Sequence, residues 1–161
     1  MLHIAIKNIS SYKQMYNSRR LKKIAEHILI EEGHSQQNCE LSIVFCNDDF
    51  IQGLNKEYRH KNNPTDVLSF PVPSNFPSGD TKPIGEIIIS LQTVLTRAEN
   101  PEKAIHEIDV LFCHGLLHLL GYIHDTPHQR RQMIEKQAKY LGIPIEDAWI
   151  KYPKHTNKKK C

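Results

Sequence analysis

The stretch from residue 114 to residue 125, HGLLHLLGYIHD, restricts what this chain can fold into more than any other. His114 and His118 stand four residues apart, Gly121 follows three residues later, and His124 three after that. On an α-helix, residues four apart share a face, with Cβ atoms about 5–6 Å from one another. Two imidazoles placed this way can grip one ion at metal–nitrogen distances of about 2.0–2.1 Å. Gly121 can leave the helix through the left-handed region, and that turn swings His124 back toward the same point. The competing reading, surface histidines or histidines satisfied in a core, does not explain the glycine at the place where the helix must end. Three neutral imidazoles with one position open to solvent describe a catalytic centre more than a structural one.

The rest of the chain has to supply a long helix ending at this motif. Pro101 suits the first turn of a helix running to Leu120, with Gly121 as its stop. Thr126-Pro127 opens another helix, closed by Gly142 and Pro144, and residues 145–152 add one or two turns. Upstream, residues 17–33 carry Leu21, Ile24, Ala25, Ile28 and Leu29 at helical spacing, and Gly33 ends the run. Asn47-Asp48-Asp49 offers caps for a helix to about Tyr58, and residues 91–98 form a short helix. Strands are expected at residues 2–7, 40–45, 67–70 and 85–90, the last with Ile87, Ile88 and Ile89 and buried on both faces. Pro71 and Pro73 end the third strand, and residues 74–83, with Pro77, Gly79 and Pro83, are expected to be loop. The pattern predicts an α+β fold, a small mixed sheet of about four strands packed with about five helices, with the metal site at the end of a long helix.

At 161 residues the chain suits one domain, taken as residues 1–152, followed by a basic, disordered tail over residues 153–161. Cys39, Cys46, Cys113 and Cys161 show no C-x-x-C pair, so a reducing, cytoplasmic compartment is the expected setting. No uncharged apolar run approaches the roughly 18–20 residues of a membrane span, and no membrane partner is expected. The net charge of +3 permits a nucleic acid partner without demanding one.

Zinc peptidases of the H-E-x-x-H type keep a glutamate beside the first histidine as general base. Here that position is Gly115, which weakens a peptidase reading in spite of the matching spacing. A metal site can still supply hydroxide near neutral pH. A phosphodiester suits such a site, because its anionic oxygens bind both a metal and an arginine.

Three groups of residues, in order, carry a resemblance to a known family. They are Leu54-Asn55-Lys56-Glu57-Tyr58-Arg59 followed by residues 64–71, PTDVLSFP; then Gly85-Glu86-Ile87; then the histidine motif with residues 133–142 behind it. Together they resemble the YbeY family of metal-dependent endoribonucleases, also described as rRNA maturation factors. The family commonly carries an aspartate where Ile123 stands, and Asp125 is the nearest carboxylate to replace it. The resemblance implies one ion held by His114, His118 and His124, usually zinc, although imidazoles accept nickel and other divalent transition metals. It implies a single-strand-specific endoribonuclease acting at the 3′ end of small-subunit rRNA and in ribosome quality control. Ribosomal RNA, ribosomal subunits and a ribosome-associated GTPase are the partners it implies.

On this reading His114 and Arg59 are the catalytic residues, with Arg59 engaging the scissile phosphate as a planar bidentate donor. Its bland alternative is a surface arginine paired with Asp66 or a helix glutamate. Asp66 caps its strand, orients Arg59 or accepts a proton; Ser69 spans the sheet or meets substrate; Glu86 is a buried carboxylate or a strand-end charge. The general base is open between a substrate oxygen, Asp125 and bulk hydroxide. Cys113 is expected in the core, Trp149 as an anchor for the C-terminal turn, and the remaining histidines as surface residues. Arg19, Arg20, Lys22 and Lys23 form a basic cluster that a solvated helix face explains at least as well as RNA binding. A ribosome-biogenesis binding factor with a mainly structural metal is the alternative function, and a metallopeptidase the third.

Overall fold

The computed structural model describes residues 1–13, 15–77 and 79–150. In chain order the elements are β1 (Leu2–Asn8), α1 (Ser18–Glu31), β2 (Asn38–Cys46), α2 (Asp48–Arg59), β3 (Val67–Pro71), β4 (Thr81–Ser90), α3 (Leu91–Arg97), α4 (Pro101–Leu119) and α5 (Pro127–Leu141). A 3-10 turn at Ile145–Asp147 follows. The strands form one mixed sheet in the order β1-β2-β4-β3. β1, β2 and β4 run parallel, and β3 lies antiparallel on the edge beside β4. The α+β architecture with four strands and five helices is the one expected from the sequence.

Local chemistry sets the boundaries. Asn17, Ser90, Asn100 and Thr126 each accept a backbone N–H at the start of a helix, and Thr126 forms a reciprocal capping box with Gln129. Two expectations need correction. β4 begins at Thr81, inside the stretch read as loop, because it continues to pair with β2. Pro83 is tolerated there because β3 joins β4 only from Gly85 onward, so β4 is still an edge at that point. The C-terminal turns shrink to the three-residue 3-10 turn, with residues 151–152 and the predicted tail at residues 153–161 lying outside the described residues.

The sheet has two unequal faces. On one, α1 and α4 bury Leu21, Ile28, Phe112 and Leu116 against Leu41, Ile43, Ile87 and Ile89. On the other, α2 covers a smaller cluster of Val44, Cys46, Ile51, Leu68 and Ile88. α4 is therefore central, and its last turns meet β3 and β4 at the sheet edge. Among the described residues, no helix is long and apolar enough to cross a membrane.

Candidate metal centre

The end of α4 is built by one turn. Gly121 takes φ +99°, its N–H bonds to the His118 carbonyl at 3.0 Å, and the Tyr122 N–H reaches back to the Leu117 carbonyl at 3.0 Å. This is a Schellman closure, and glycine fits the left-handed position it requires. The chain then doubles back and brings His124 against the other two rings. Ring centroids lie 4.5 Å apart for His114 and His118, 5.2 Å for His114 and His124, and 5.0 Å for His118 and His124.

The nitrogens point inward. His114 Nε2 and His118 Nε2 are 3.0 Å apart, and one ring nitrogen from each of the three histidines lies within 4.8 Å of the others. Nitrogens bound tetrahedrally to one ion at about 2.0–2.1 Å would sit about 3.3 Å apart, so a modest adjustment suits a metal. Two of the outer nitrogens are already occupied. His114 Nδ1 donates to Gln137 Oε1 at 2.9 Å, and His118 Nδ1 donates to the Tyr122 carbonyl at 2.8 Å. Such bonds fix the tautomer that leaves Nε2 free to bind a metal.

Electrostatics favour the neutral rings that ligation needs. Burial, followed by the charge of His118, pushes the His114 pKa down to about 4. Burial and then the charge of His124 hold His118 below the usual imidazole range; Arg59 acts in the same direction and Asp125 in the opposite one. Trp149 meets His114 and His124 edge-on at centroid distances of 5.1 and 5.3 Å. With Val67 and Leu111 it walls a cavity of about 80 Å³ beside the histidines.

Gly115 has a structural role of its own. A Cβ added there would sit 3.0 Å from both Ile87 Cγ2 and Ser69 Oγ. Position 115 therefore faces the sheet, where α4 packs against it, and Ser69 Oγ donates to the Gly115 carbonyl at 3.0 Å. Any side chain at the residue after the first histidine would press on Ile87 and Ser69.

The other residues singled out from the sequence are dispersed. Arg59 is exposed at the end of α2, close enough for its charge to act on His118. Asp66 is buried, accepts the Val67 N–H at 2.8 Å and pairs with Arg97 at 2.8 Å. Arg97 also bonds Glu107 at 2.9 Å, which ties the start of β3 to α3 and α4. Glu86 lies on the opposite face of the sheet from the histidines, where Ser42 Oγ donates to it at 3.4 Å. Asp125 is exposed one residue beyond His124, and Ile123 is 49% exposed. Cys113 is fully buried. In the basic cluster, Arg20 pairs with Asp109 and Lys22 approaches Glu26 at 3.9 Å. His106 is tied to the Asp147 carbonyl at 3.0 Å.

Two supports were missed at the level of sequence. Gln137 is fully buried on α5, and its Nε2 donates to the Ala148 carbonyl. A glutamine four residues after Met133, on an otherwise apolar stripe, was the available signal. Glu32, just beyond α1, accepts from Tyr122 Oη at 2.7 Å, from Lys136 Nζ at 2.6 Å and from Tyr140 Oη. It fastens the loop that carries His124 to α1 and α5. Nothing local marks Glu32 for this task.

The family model described as "Endoribonuclease YbeY" matches residues 5–143. Relatives described by the same words include one from Anaeromyxobacter dehalogenans, 41% identical over 123 residues, covering 76% of this chain and 62% of its own length. Another, from Pelotomaculum thermopropionicum, is 39% identical over 126 residues and covers 76% of this chain and 82% of its own. The chain thus spans less than two thirds of the Anaeromyxobacter dehalogenans relative. The solution structure of TM1509 from Thermotoga maritima superposes with a TM-score of 0.57 at 28% identity, covering 91% of this chain and 89% of the other.

Proposed function

The chain belongs to the endoribonuclease YbeY family, and from that premise we propose that it is a metal-dependent endoribonuclease cutting single-stranded RNA. The observation that carries the proposal is the convergence of His114, His118 and His124, with the outer nitrogens of His114 and His118 already bonded. On this reading the three histidines hold one zinc ion. When bound, the metal supplies Lewis acidity toward a phosphodiester and a source of hydroxide near neutral pH. Gln137 and the Tyr122 carbonyl keep the two α4 rings in the binding tautomer. Arg59 pairs with the non-bridging phosphate oxygens and offsets the charge that develops there. Asp125, exposed beside His124, is within reach of solvent to take a proton, although a substrate oxygen can do the same.

Gly115 further favours RNA over peptide, because the glutamate that peptide hydrolysis uses at this place in H-E-x-x-H sites is missing, and a Cβ there would press on Ile87 and Ser69. The biological setting we propose is maturation of the small-subunit rRNA 3′ end and ribosome quality control in the cytoplasm, with ribosomal subunits and a ribosome-associated GTPase as partners.

The test is cleavage of an unstructured RNA by wild type, Arg59→Ala and His114→Ala, with metal content measured on each protein. Both variants are expected to lose cutting by about 100-fold or more, and only His114→Ala to lose metal. If both cut like wild type, the activity is a contaminant and a ribosome-biogenesis binding factor with a structural metal is the better reading.

A further inference from the structure

On the face of the sheet away from the histidines lies a groove of about 330 Å³. Its one wall is a stripe of α2 at helical spacing, Phe50, Leu54 and Tyr58; its other is the sheet, with Phe70 and Glu86 side by side on β3 and β4. Phe50 is 44% exposed and Tyr58 59% exposed, although both line a concave surface rather than standing alone. Tyr58 meets Phe70 edge-to-face at 5.2 Å.

The edge strand β3 stands between the groove and α4, the helix that carries His114 and His118. Successive residues of a strand point to opposite faces. Ser69 reaches Gly115 on the histidine side while its neighbour Phe70 meets Tyr58 on the groove side. β3 has no further strand beyond it, so a chain crossing from one face to the other passes over a single strand. The last turn of α2 and the two residues after it carry Lys56, Arg59, His60 and Lys61, all exposed, with Glu57 the one acidic residue among them. The charge of Arg59 already reaches His118.

We infer that this groove is a nucleobase subsite, in which Tyr58 and Phe50 stack a base of single-stranded RNA while the cations at the end of α2 carry the adjoining phosphates toward the metal centre. The inference rests on the RNA-cutting reading above. Exposed aromatic rings beside a positive rim are how single strands are gripped, because every base has a face to stack and every linkage a charge. The Glu86 carboxylate in the groove can accept from the exocyclic amine of a base.

The experiment measures binding of a dye-labelled, unstructured 12-nucleotide RNA by anisotropy at fixed salt, with wild type, Tyr58→Ala, Tyr58→Leu, Tyr58→Phe and Phe50→Ala. Tyr58→Ala and Tyr58→Leu are expected to weaken binding by about 5- to 100-fold and Tyr58→Phe to keep it, with metal content and melting temperature unchanged. Tyr58→Leu retains apolar packing on Phe70 but offers no ring, so it separates stacking from a structural role. Phe50→Ala, expected to weaken binding as well, keeps the test decisive if the Tyr58 variants fold poorly. Wild-type binding by Tyr58→Ala and Phe50→Ala would overturn the subsite, leave the RNA-cutting reading intact and point to a protein partner on this face. Failure of wild type to bind or cut RNA would overturn both.

Discussion

Gln137 Oε1 accepts the Nδ1 proton of His114 at 2.9 Å, and the Gln137 amide donates in turn to the Ala148 carbonyl, so one fully buried side chain links the first histidine of the triad to the turn that carries Trp149. A buried polar group serving two partners has little freedom to relax when either is lost.

Replacing Gln137 by leucine removes the acceptor while keeping the volume. His114 then loses the bond that fixes its tautomer, and metal affinity is expected to fall about 10- to 100-fold. Competition with a chromophoric chelator reads this directly. Unchanged affinity would mean that packing alone orients the ring.

Gly115→Glu tests whether position 115 belongs to the site or to the packing of α4 on the sheet. A Cβ there already meets Ile87 Cγ2 and Ser69 Oγ at 3.0 Å, so a longer side chain must push α4 off β3 and β4. The variant is expected to lose about 3 kcal/mol of stability in urea denaturation and to gain no peptide-hydrolysing activity. A stable variant that cuts peptides would show that the glycine alone separates this site from the H-E-x-x-H enzymes.

The His114 ring gives the metal-free protein a defined acid sensitivity. Its pKa lies at about 4 in the folded chain against an ordinary value of 6.5. Between those values the unfolded chain binds the proton and the folded chain does not, so stability falls as pH drops through this window and is fully present above it. The linked change amounts to about 3 kcal/mol at most. Thermal unfolding of chelator-treated protein between pH 7 and pH 4, compared with His114→Gln, isolates this contribution; the variant should show the shallower decline.

Glu32 gathers Tyr122, Lys136 and Tyr140 at one carboxylate, with side-chain exposures of 12% for Glu32 and 25% for Lys136. Glu32→Ala strands the Lys136 ammonium and frees the loop between α4 and α5. We expect a loss of about 2–3 kcal/mol in stability, read as a lower urea midpoint, with partial recovery in Glu32→Gln, which can still accept from Tyr122.

Much of this architecture was legible because its causes are local. The helix at residues 101–119 is marked by Pro101 and by the apolar run behind it, and the turn after it by Gly121; the capping residues Asn100 and Thr126 act on amides three positions away. The start of β4 is not legible in the sequence, because its first residues, with Pro83 among them, look like loop in isolation and are held only by β2. Pro64-Thr65 marks a turn before Asp66, and the bond from the Val67 amide to Asp66 is of that local kind; its ion pair with Arg97 is not.

The same division runs through the site. The spacing of His114, His118 and His124 around Gly121 determined by itself that three imidazoles would meet, since four-residue helical spacing and one left-handed glycine suffice to bring them together. What only the tertiary structure decided is what holds them and what lies beside them. His114 and Gln137 are 23 residues apart in the chain, Ser69 and Gly115 are 46 apart, and Glu32 and Tyr122 are 90 apart. No periodicity reports on such pairs. They form because α1 and α4 pack on one face of a four-stranded sheet and α5 packs on those two helices, and that packing chooses which polar side chains must find each other once water is excluded.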